Sequence, residues 1–157
     1  MKTILKTVFL AALLAEPAIA AGTHGGGHYD EMEVGKPGDS HRVDREISVT
    51  MRETDDGQML FEPGNFSFSK GETVKFTITN SGDLEHEFVL DTIERNGLHK
   101  EMMAKMDMEH DDPNSVRLDA GNQGEVIWTF SNSGSFEFAC LIPGHYESGM
   151  HGPVVVK

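Results

Sequence analysis

The chain has 157 residues, of which 26 are acidic and 13 are basic, so its formal net charge is −13 at pH 7. A surface with this excess of negative charge repels nucleic acid and anionic lipid, and it attracts cations or a basic partner. We therefore expect neither a nucleic-acid-binding protein nor a membrane-bound one. The length suits one domain, and a single cysteine excludes an internal disulfide.

The first 20 residues have the pattern of a secretory signal peptide. Lys2 and Lys6 precede an apolar run at 8–15, and the Ala-Ile-Ala sequence at 18–20 supplies the small residues of a cleavage site. The run is too short to span a bilayer. An ordinary N-terminal helix is the alternative interpretation. We expect cleavage after Ala20 and export to the periplasm as a soluble monomer.

The segment 21–44 differs from the rest of the chain in composition. It is rich in glycine and in charged side chains, and it has little apolar surface to bury. Such a composition predicts a flexible N-terminal arm that precedes a folded domain at 45–157.

From Arg45 onward, short segments alternate apolar and polar residues with the period of two that is typical of half-buried β-strands. Turn sequences rich in Gly, Asn, Asp and Pro separate these segments. The pattern predicts an all-β fold, either an antiparallel sandwich or a barrel. The interval 94–112 breaks the pattern and predicts one helical or loop insertion. The predicted strands include 47–51, 66–68, 74–78, 84–90, 125–130, 136–140 and 154–156.

A thiol, an imidazole and a thioether lie on one short segment near the end of the chain. Cys140, His145 and Met150 are spaced as Cys-x4-His-x4-Met. Two His and one Cys in a trigonal plane, with a distant Met on the axis, make a blue-copper site. His86, far upstream on a predicted strand, is placed to supply the second imidazole, and His151 is its rival. We predict one type 1 copper ion bound by His86, Cys140, His145 and Met150.

Other interpretations of this segment remain open. Thiolate and thioether sulfurs are soft donors suited to Cu(I), and imidazole also accepts Cu(II), so the set is able to hold both oxidation states. Zinc competes for Cys and His, but a structural zinc site usually recruits more thiolates or imidazoles and has no need of a thioether. In a metal-free protein, Cys140 would be an inert buried thiol, His145 a surface side chain and Met150 a core filler.

The same residues resemble the cupredoxins, the blue-copper family of small β-sandwiches. The sequence at 136–140 is similar to their last strand, which delivers the ligand Cys at its end, and the loop spacing is similar to that of rusticyanin and auracyanin. The resemblance covers roughly 45–157 and implies a Greek-key β-sandwich with His86 as the upstream ligand. In many cupredoxins an Asn follows that His and bonds toward a Ser or Thr beside the Cys. Here these positions hold Glu87 and Leu141.

Further soft donors lie outside this motif. Three methionines of the insertion share one face if it is helical, because they are three and four residues apart. They make either an accessory Cu(I) site or a part of the core, since methionine commonly fills gaps. The histidines of the arm make either a copper-capturing segment or a solvated linker. The candidate accessory copper ligands are Met102, Met103, Met106, Met108, His110, His24 and His28.

Two functions would use the same redox-active Cu(I)/Cu(II) centre. The methionine- and histidine-rich segments resemble periplasmic cupredoxins linked to bacterial copper tolerance, and copper handling is therefore the expected role. The alternative is a diffusible one-electron carrier that docks to a periplasmic redox partner through apolar residues near His145, namely Leu141, Ile142, Pro143 and Tyr146. We expect no enzyme, because one domain without a second His cluster does not suit a multicopper oxidase or a nitrite reductase.

Overall fold

A computed structural model describes residues 31–106 and 112–157. These residues form two five-stranded β-sheets that enclose one core, with a helix against the outer side of one sheet. The predicted all-β sandwich is confirmed. The elements are β1 (Lys36–Pro37), β2 (Arg45–Glu53), β3 (Met59–Glu62), β4 (Phe66–Phe68), β5 (Thr73–Asn80), β6 (His86–Asp91), α1 (Ile93–Met103), β7 (Ser115–Leu118), β8 (Gln123–Thr129), β9 (Gly134–Ala139) and β10 (His151–Val156).

The strand order is β1-β8-β5-β2-β3 in the first sheet and β4-β10-β9-β6-β7 in the second. The sequence pattern predicts antiparallel sheets, but each sheet contains one parallel pair of strands. Strand β2 runs parallel to β5, and β4 runs parallel to β10. Between β3 and β5 the chain crosses to the second sheet, where it forms β4, and then returns to the first sheet. Strand β5 is therefore joined to β2 by a crossover and not by a hairpin, and the two strands run parallel.

Aromatic rings fill the space between the sheets and fix the position of β9. The ring centroid of Phe138 lies 5.1 Å from that of Phe61, 4.7 Å from Phe66 and 5.8 Å from Phe88. All four side chains are buried. Offset and edge-to-face pairs of this kind add to the free energy of burial. Because Phe138 lies two residues before Cys140, the core also determines where that cysteine is placed.

The predicted insertion at 94–112 begins as helix α1, and residues 107–111 lie outside the described chain. Thr92 caps the helix, because its side-chain oxygen accepts a hydrogen bond from the backbone N–H of Arg95 at 3.1 Å. Met103 packs against Val89 and Leu141 in a second small core. The helix therefore covers the outer face of the second sheet, and every residue of β6 is buried. None of the described helical residues makes a helix long and apolar enough to cross a membrane.

The described part of the predicted arm, 31–44, lies against the first sheet. Val34 is fully buried, and its carbonyl accepts a hydrogen bond from Trp128 Nε1 at 3.2 Å. Gly35 adopts a φ of 134°, and a Cβ there would collide with the carbonyl of Thr129. Strand β1 then pairs with β8. Residues 31–44 therefore differ from the expected flexible arm, because one apolar side chain and a short strand attach them to the core, and 21–30 lie outside the described residues.

We expect Val34→Ala to lower the free energy of unfolding of the copper-free protein by about 2 kcal/mol, because it removes fully buried apolar surface. Val155→Ala is the matched control. Val155 lies on β10 and is 37% exposed, so its truncation should cost less than about 0.5 kcal/mol. Urea unfolding followed by circular dichroism measures both. Equal midpoints for the two variants would show that Val34 does not belong to the cooperative core.

Candidate metal centre

Three predicted ligands meet at one end of the sandwich. His86 Nδ1 lies 3.1 Å from His145 Nδ1, which in turn lies 3.4 Å from Cys140 Sγ. His86 and Cys140 are fully buried, and His145 is 9% exposed. Within residues 31–106 and 112–157, this is the one group of three or more His, Cys, Asp or Glu side chains whose donor atoms lie within 4.8 Å of one another.

The structure separates His86 from its rival His151. His86 is the first residue of β6, and its side chain is fully buried. His151 begins β10 and is exposed; its ring stacks on Tyr146 with centroids 4.1 Å apart. Its Nδ1 lies 3.6 Å from a carboxylate oxygen of Glu137. His86 is therefore the second imidazole of the cluster.

Backbone hydrogen bonds close the loop that connects Cys140 to Met150. The N–H of Cys140 donates to the carbonyl of Met150 at 2.9 Å, and the N–H of Met150 donates to the carbonyl of His145 at 3.2 Å. The turns between them use Gly144 and Gly149, whose φ values are 89° and 101°. Side chains larger than hydrogen are strained in this region of φ. These hydrogen bonds bring the backbone of Met150 next to Cys140 and His145, and the Met150 side chain is fully buried.

The thiol of Cys140 is held in a dry environment. Burial raises its pKa to about 12, although the backbone N–H of Glu87 donates to Sγ at 3.3 Å and acts in the opposite direction. Glu87 therefore contacts the thiol through its backbone. Leu141 is fully buried and packs with Met103 beneath α1. Burial, followed by electrostatic repulsion between the two imidazoles when both are protonated, lowers the pKa of His145, which favours the neutral imidazole that a metal requires.

A carboxylate that the sequence analysis missed contacts His86. Oε1 of Glu53, the last residue of β2, lies 2.8 Å from His86 Nε2. The two carboxylate oxygens also accept hydrogen bonds from the backbone N–H groups of Asp83 and Leu84 at 2.9 and 3.0 Å. Burial acts to raise the pKa of Glu53, but these N–H groups and His86 outweigh it and lower the pKa. No sequence motif connects Glu53 with His86, because the two residues meet only through the folding of both sheets.

Helix α1 contacts the ligand loop from outside. Lys100 Nζ lies 2.7 Å from a carboxylate oxygen of Glu147 and 4.4 Å from the centroid of the Tyr146 ring. The Tyr146 hydroxyl donates to Glu137 at 2.9 Å, and Asn96 of α1 donates to the other oxygen of Glu137 at 3.2 Å. The loop is therefore attached to the helix by polar contacts as well as by the packing of Leu141.

The predicted accessory ligands are distributed differently from expectation. Met102 and Met106 are exposed, but Met103 is buried against β6 and β9, so the core interpretation holds for that side chain. The helix ends at Met103, and Met106 lies in the turn that follows. The three methionines therefore do not share one exposed helical face. The remaining candidates, Met108, His110, His24 and His28, lie outside the described residues, as does the predicted signal peptide.

Comparison with known proteins identifies the family to which the chain belongs. Residues 48–157 match the family described as copper binding proteins, plastocyanin/azurin family. The chain belongs to this family. It is 45% identical to a copper-resistant cuproprotein CopI of Rubrivivax gelatinosus, with 94% of this chain and 93% of that protein covered. It is 34% identical to a CopI of Pseudomonas aeruginosa, with 96% and 93% covered.

The solved structure of reduced auracyanin from Roseiflexus castenholzii shares the fold with a TM-score of 0.60. It is 20% identical and covers 73% of this chain and 98% of its own. This likeness shows the fold, and the family match over 48–157 confirms the predicted cupredoxin resemblance.

The donor set of this cupredoxin fits copper. Two imidazole nitrogens face each other beside a thiol sulfur, and all three lie within 4.8 Å. Imidazole and soft sulfur together suit an ion that changes between Cu(II) and Cu(I). The pocket is buried, so it also restricts access of water to the ion.

We expect the Cys140 thiol of the folded, copper-free protein to react with a thiol-specific reagent at least about 100-fold more slowly than the same protein in denaturant, because only an exposed thiolate reacts rapidly. With a pKa raised to about 12, the thiolate fraction is minute at pH 8 and grows about tenfold with each pH unit. Absorbance during modification with Ellman's reagent measures the rate. Similar rates in folded and unfolded protein would contradict the burial of this side chain.

Proposed function

We propose that His86, Cys140, His145 and Met150 bind one type 1 copper ion, and that the protein handles copper in the periplasm as part of copper tolerance. The observation that carries the proposal is the convergence of His86 Nδ1, His145 Nδ1 and Cys140 Sγ within 4.8 Å. Met150 follows on the same closed loop and is fully buried. Its thioether is therefore the natural fourth donor.

Copper bound here would supply one-electron redox chemistry, and the chain's own residues would hold its donors in place. Hydrogen bonds close the ligand loop at both ends, and Glu53 holds His86 from the opposite side. A site whose donors are already placed needs little rearrangement when one electron is exchanged. The buried thiol must lose its proton on binding, because the thiolate is the ligand.

The tolerance role is supported by likeness to two relatives and by exposed soft donors. Both relatives are named copper-resistant cuproproteins, and each aligns with more than nine tenths of this chain. Met102, on α1, and Met106, in the turn that follows it, expose thioethers able to bind Cu(I). The net charge of −13 attracts cations to the surface. The predicted signal peptide supports a periplasmic location.

An electron carrier is the alternative function, and the surface near His145 favours it. Pro143 is exposed, Ile142 is half-buried and Leu84 is 46% exposed, so apolar atoms are available near the buried imidazoles. Leu141, which the sequence analysis included in this surface, is buried and makes no part of it. Exposed apolar patches often mark docking sites for partner proteins.

Titration of the purified protein with Cu(II) tests the metal site. We expect an intense thiolate-to-copper absorption band and a narrow copper hyperfine splitting at about one equivalent, since one Cys lies with two imidazoles. Cys140→Ser and His86→Ala should abolish the band. His151→Ala is the control and should retain it, because His151 lies outside the cluster. A colourless complex that Cys140→Ser leaves unchanged would overturn the type 1 assignment.

A second experiment separates the tolerance role from the carrier role. The double variant Met102→Leu, Met106→Leu removes two exposed thioethers and conserves their apolar size, so the fold and the blue spectrum should persist. We expect it to bind about one Cu(I) fewer in a competition titration and to lower the growth of the host in copper. Leu98→Val, at an exposed position on the same helix, is the control. Unchanged stoichiometry and growth would favour the carrier alternative.

A further inference from the structure

Glu53 joins the two sheets at the metal centre. It ends β2 in the first sheet, and its carboxylate reaches His86 Nε2 at the start of β6 in the second. The side chain of Glu53 is 21% exposed, and His86 is fully buried. A carboxylate hydrogen-bonded to one ring nitrogen of a histidine determines which nitrogen carries the proton.

We propose that Glu53 is a positioning residue that holds His86 in the Nε2–H tautomer, with Nδ1 free to bind copper, and that it thereby lowers the reduction potential of the centre. This inference rests on the proposed copper site at His86. Both oxygens of Glu53 accept backbone N–H groups, so the carboxylate acts as an acceptor and His86 Nε2 is the donor across the 2.8 Å contact. In a neutral imidazole the other nitrogen, Nδ1, then carries the lone pair.

The lone pair of Nδ1 points into the cluster. Nδ1 of His86 lies 3.1 Å from Nδ1 of His145, on the side of Cys140. One ring nitrogen of His86 therefore contacts the carboxylate while the other contacts the predicted ligands. A ring flip would put Cδ2 in the place of Nδ1 and Cε1 in the place of Nε2, so both nitrogen contacts would be lost. The hydrogen bond to Glu53 opposes that flip.

Glu53 is itself immobilised. Backbone N–H groups of Asp83 and Leu84 donate to its two oxygens, so both are engaged on the loop that leads into β6. Gly82 lies directly beside the carboxylate, and a Cβ there would collide with Glu53. A carboxylate bound at three points in this way has little freedom to follow His86. It is therefore able to determine the orientation of the ring.

The electronic effect follows from the same contact. A carboxylate that accepts from the outer nitrogen raises the basicity of an imidazole ligand. A more basic donor with negative charge behind it stabilises Cu(II) more than Cu(I). Loss of such an outer partner typically weakens metal binding by about 10- to 100-fold. If only Cu(II) binding weakens, each tenfold loss raises a one-electron reduction potential by about 59 mV.

The test compares Glu53→Gln and Glu53→Ala with Glu85→Gln. Glu53→Gln keeps the shape and removes the charge, whereas Glu53→Ala removes the hydrogen bond as well. Glu85 is a second carboxylate that acts electrostatically on His145, but it is paired with Arg117 and not with His86. Glu85→Gln therefore controls for loss of a nearby negative charge. Circular dichroism establishes folding, and Glu53→Gln carries the comparison if Glu53→Ala does not fold.

Two measurements are made on each folded variant. Nitrogen-15 NMR of the copper-free protein, at a pH above the usual imidazole range, should show His86 as one Nε2–H tautomer in the wild type and a mixture in Glu53→Ala. With copper, Cu(II) affinity should fall about 10- to 100-fold in Glu53→Gln, with a smaller change for Cu(I) and a correspondingly higher potential. Glu85→Gln should change both quantities less.

The outcomes separate this inference from the proposed function. A wild-type His86 with its proton on Nδ1, or a potential in Glu53→Gln no higher than in Glu85→Gln, would overturn the role of Glu53. Absence of a blue centre in the wild type would overturn the proposed function, and the copper-free NMR measurement would still decide whether Glu53 sets the tautomer.

Discussion

The antiparallel pairing of β9 with β10 is the constraint on which the metal centre depends. Ala139 lies opposite His151 in the ladder, and the next bond beyond it runs from the N–H of Cys140 to the carbonyl of Met150. The ladder therefore closes the ligand loop at its base. The aromatic core holds β9 through Phe138, so hydrophobic burial between the sheets is what places a thiol at the end of the sandwich.

Both sheets contribute to the centre, although the cluster itself belongs to the second. His86 and Cys140 lie at the ends of neighbouring strands there, and Glu53 contacts His86 from the first sheet. Helix α1 then covers the outer side and contacts the loop through Lys100 and Met103. The cluster is thus enclosed by the core, by the ends of two interior strands and by the loop that α1 covers, which explains both its burial and the raised pKa of Cys140.

The sequence predicted those features that depend on local pattern. Alternating apolar residues predicted the strands, and the spacing from Cys140 to Met150 predicted a compact loop. His86 was reached by its position on a strand and by family resemblance. Glu53 was not predicted, because a contact across 33 positions between two sheets leaves no local pattern. Burial of Val34 was missed because one apolar side chain in a glycine-rich segment carries little signal, although it suffices to dock that segment.

The fluorescence of Trp128 is sensitive to the position of the segment around Val34. It is the only tryptophan of the chain, it is fully buried, and its indole N–H is bonded to the carbonyl of Val34. Emission from this one fluorophore therefore depends on whether the segment around Val34 is docked on the first sheet. Local detachment of that segment is an opening of lower free energy than global unfolding. Trp128 fluorescence is thus an intrinsic probe for the local detachment of the segment around Val34 from the first sheet.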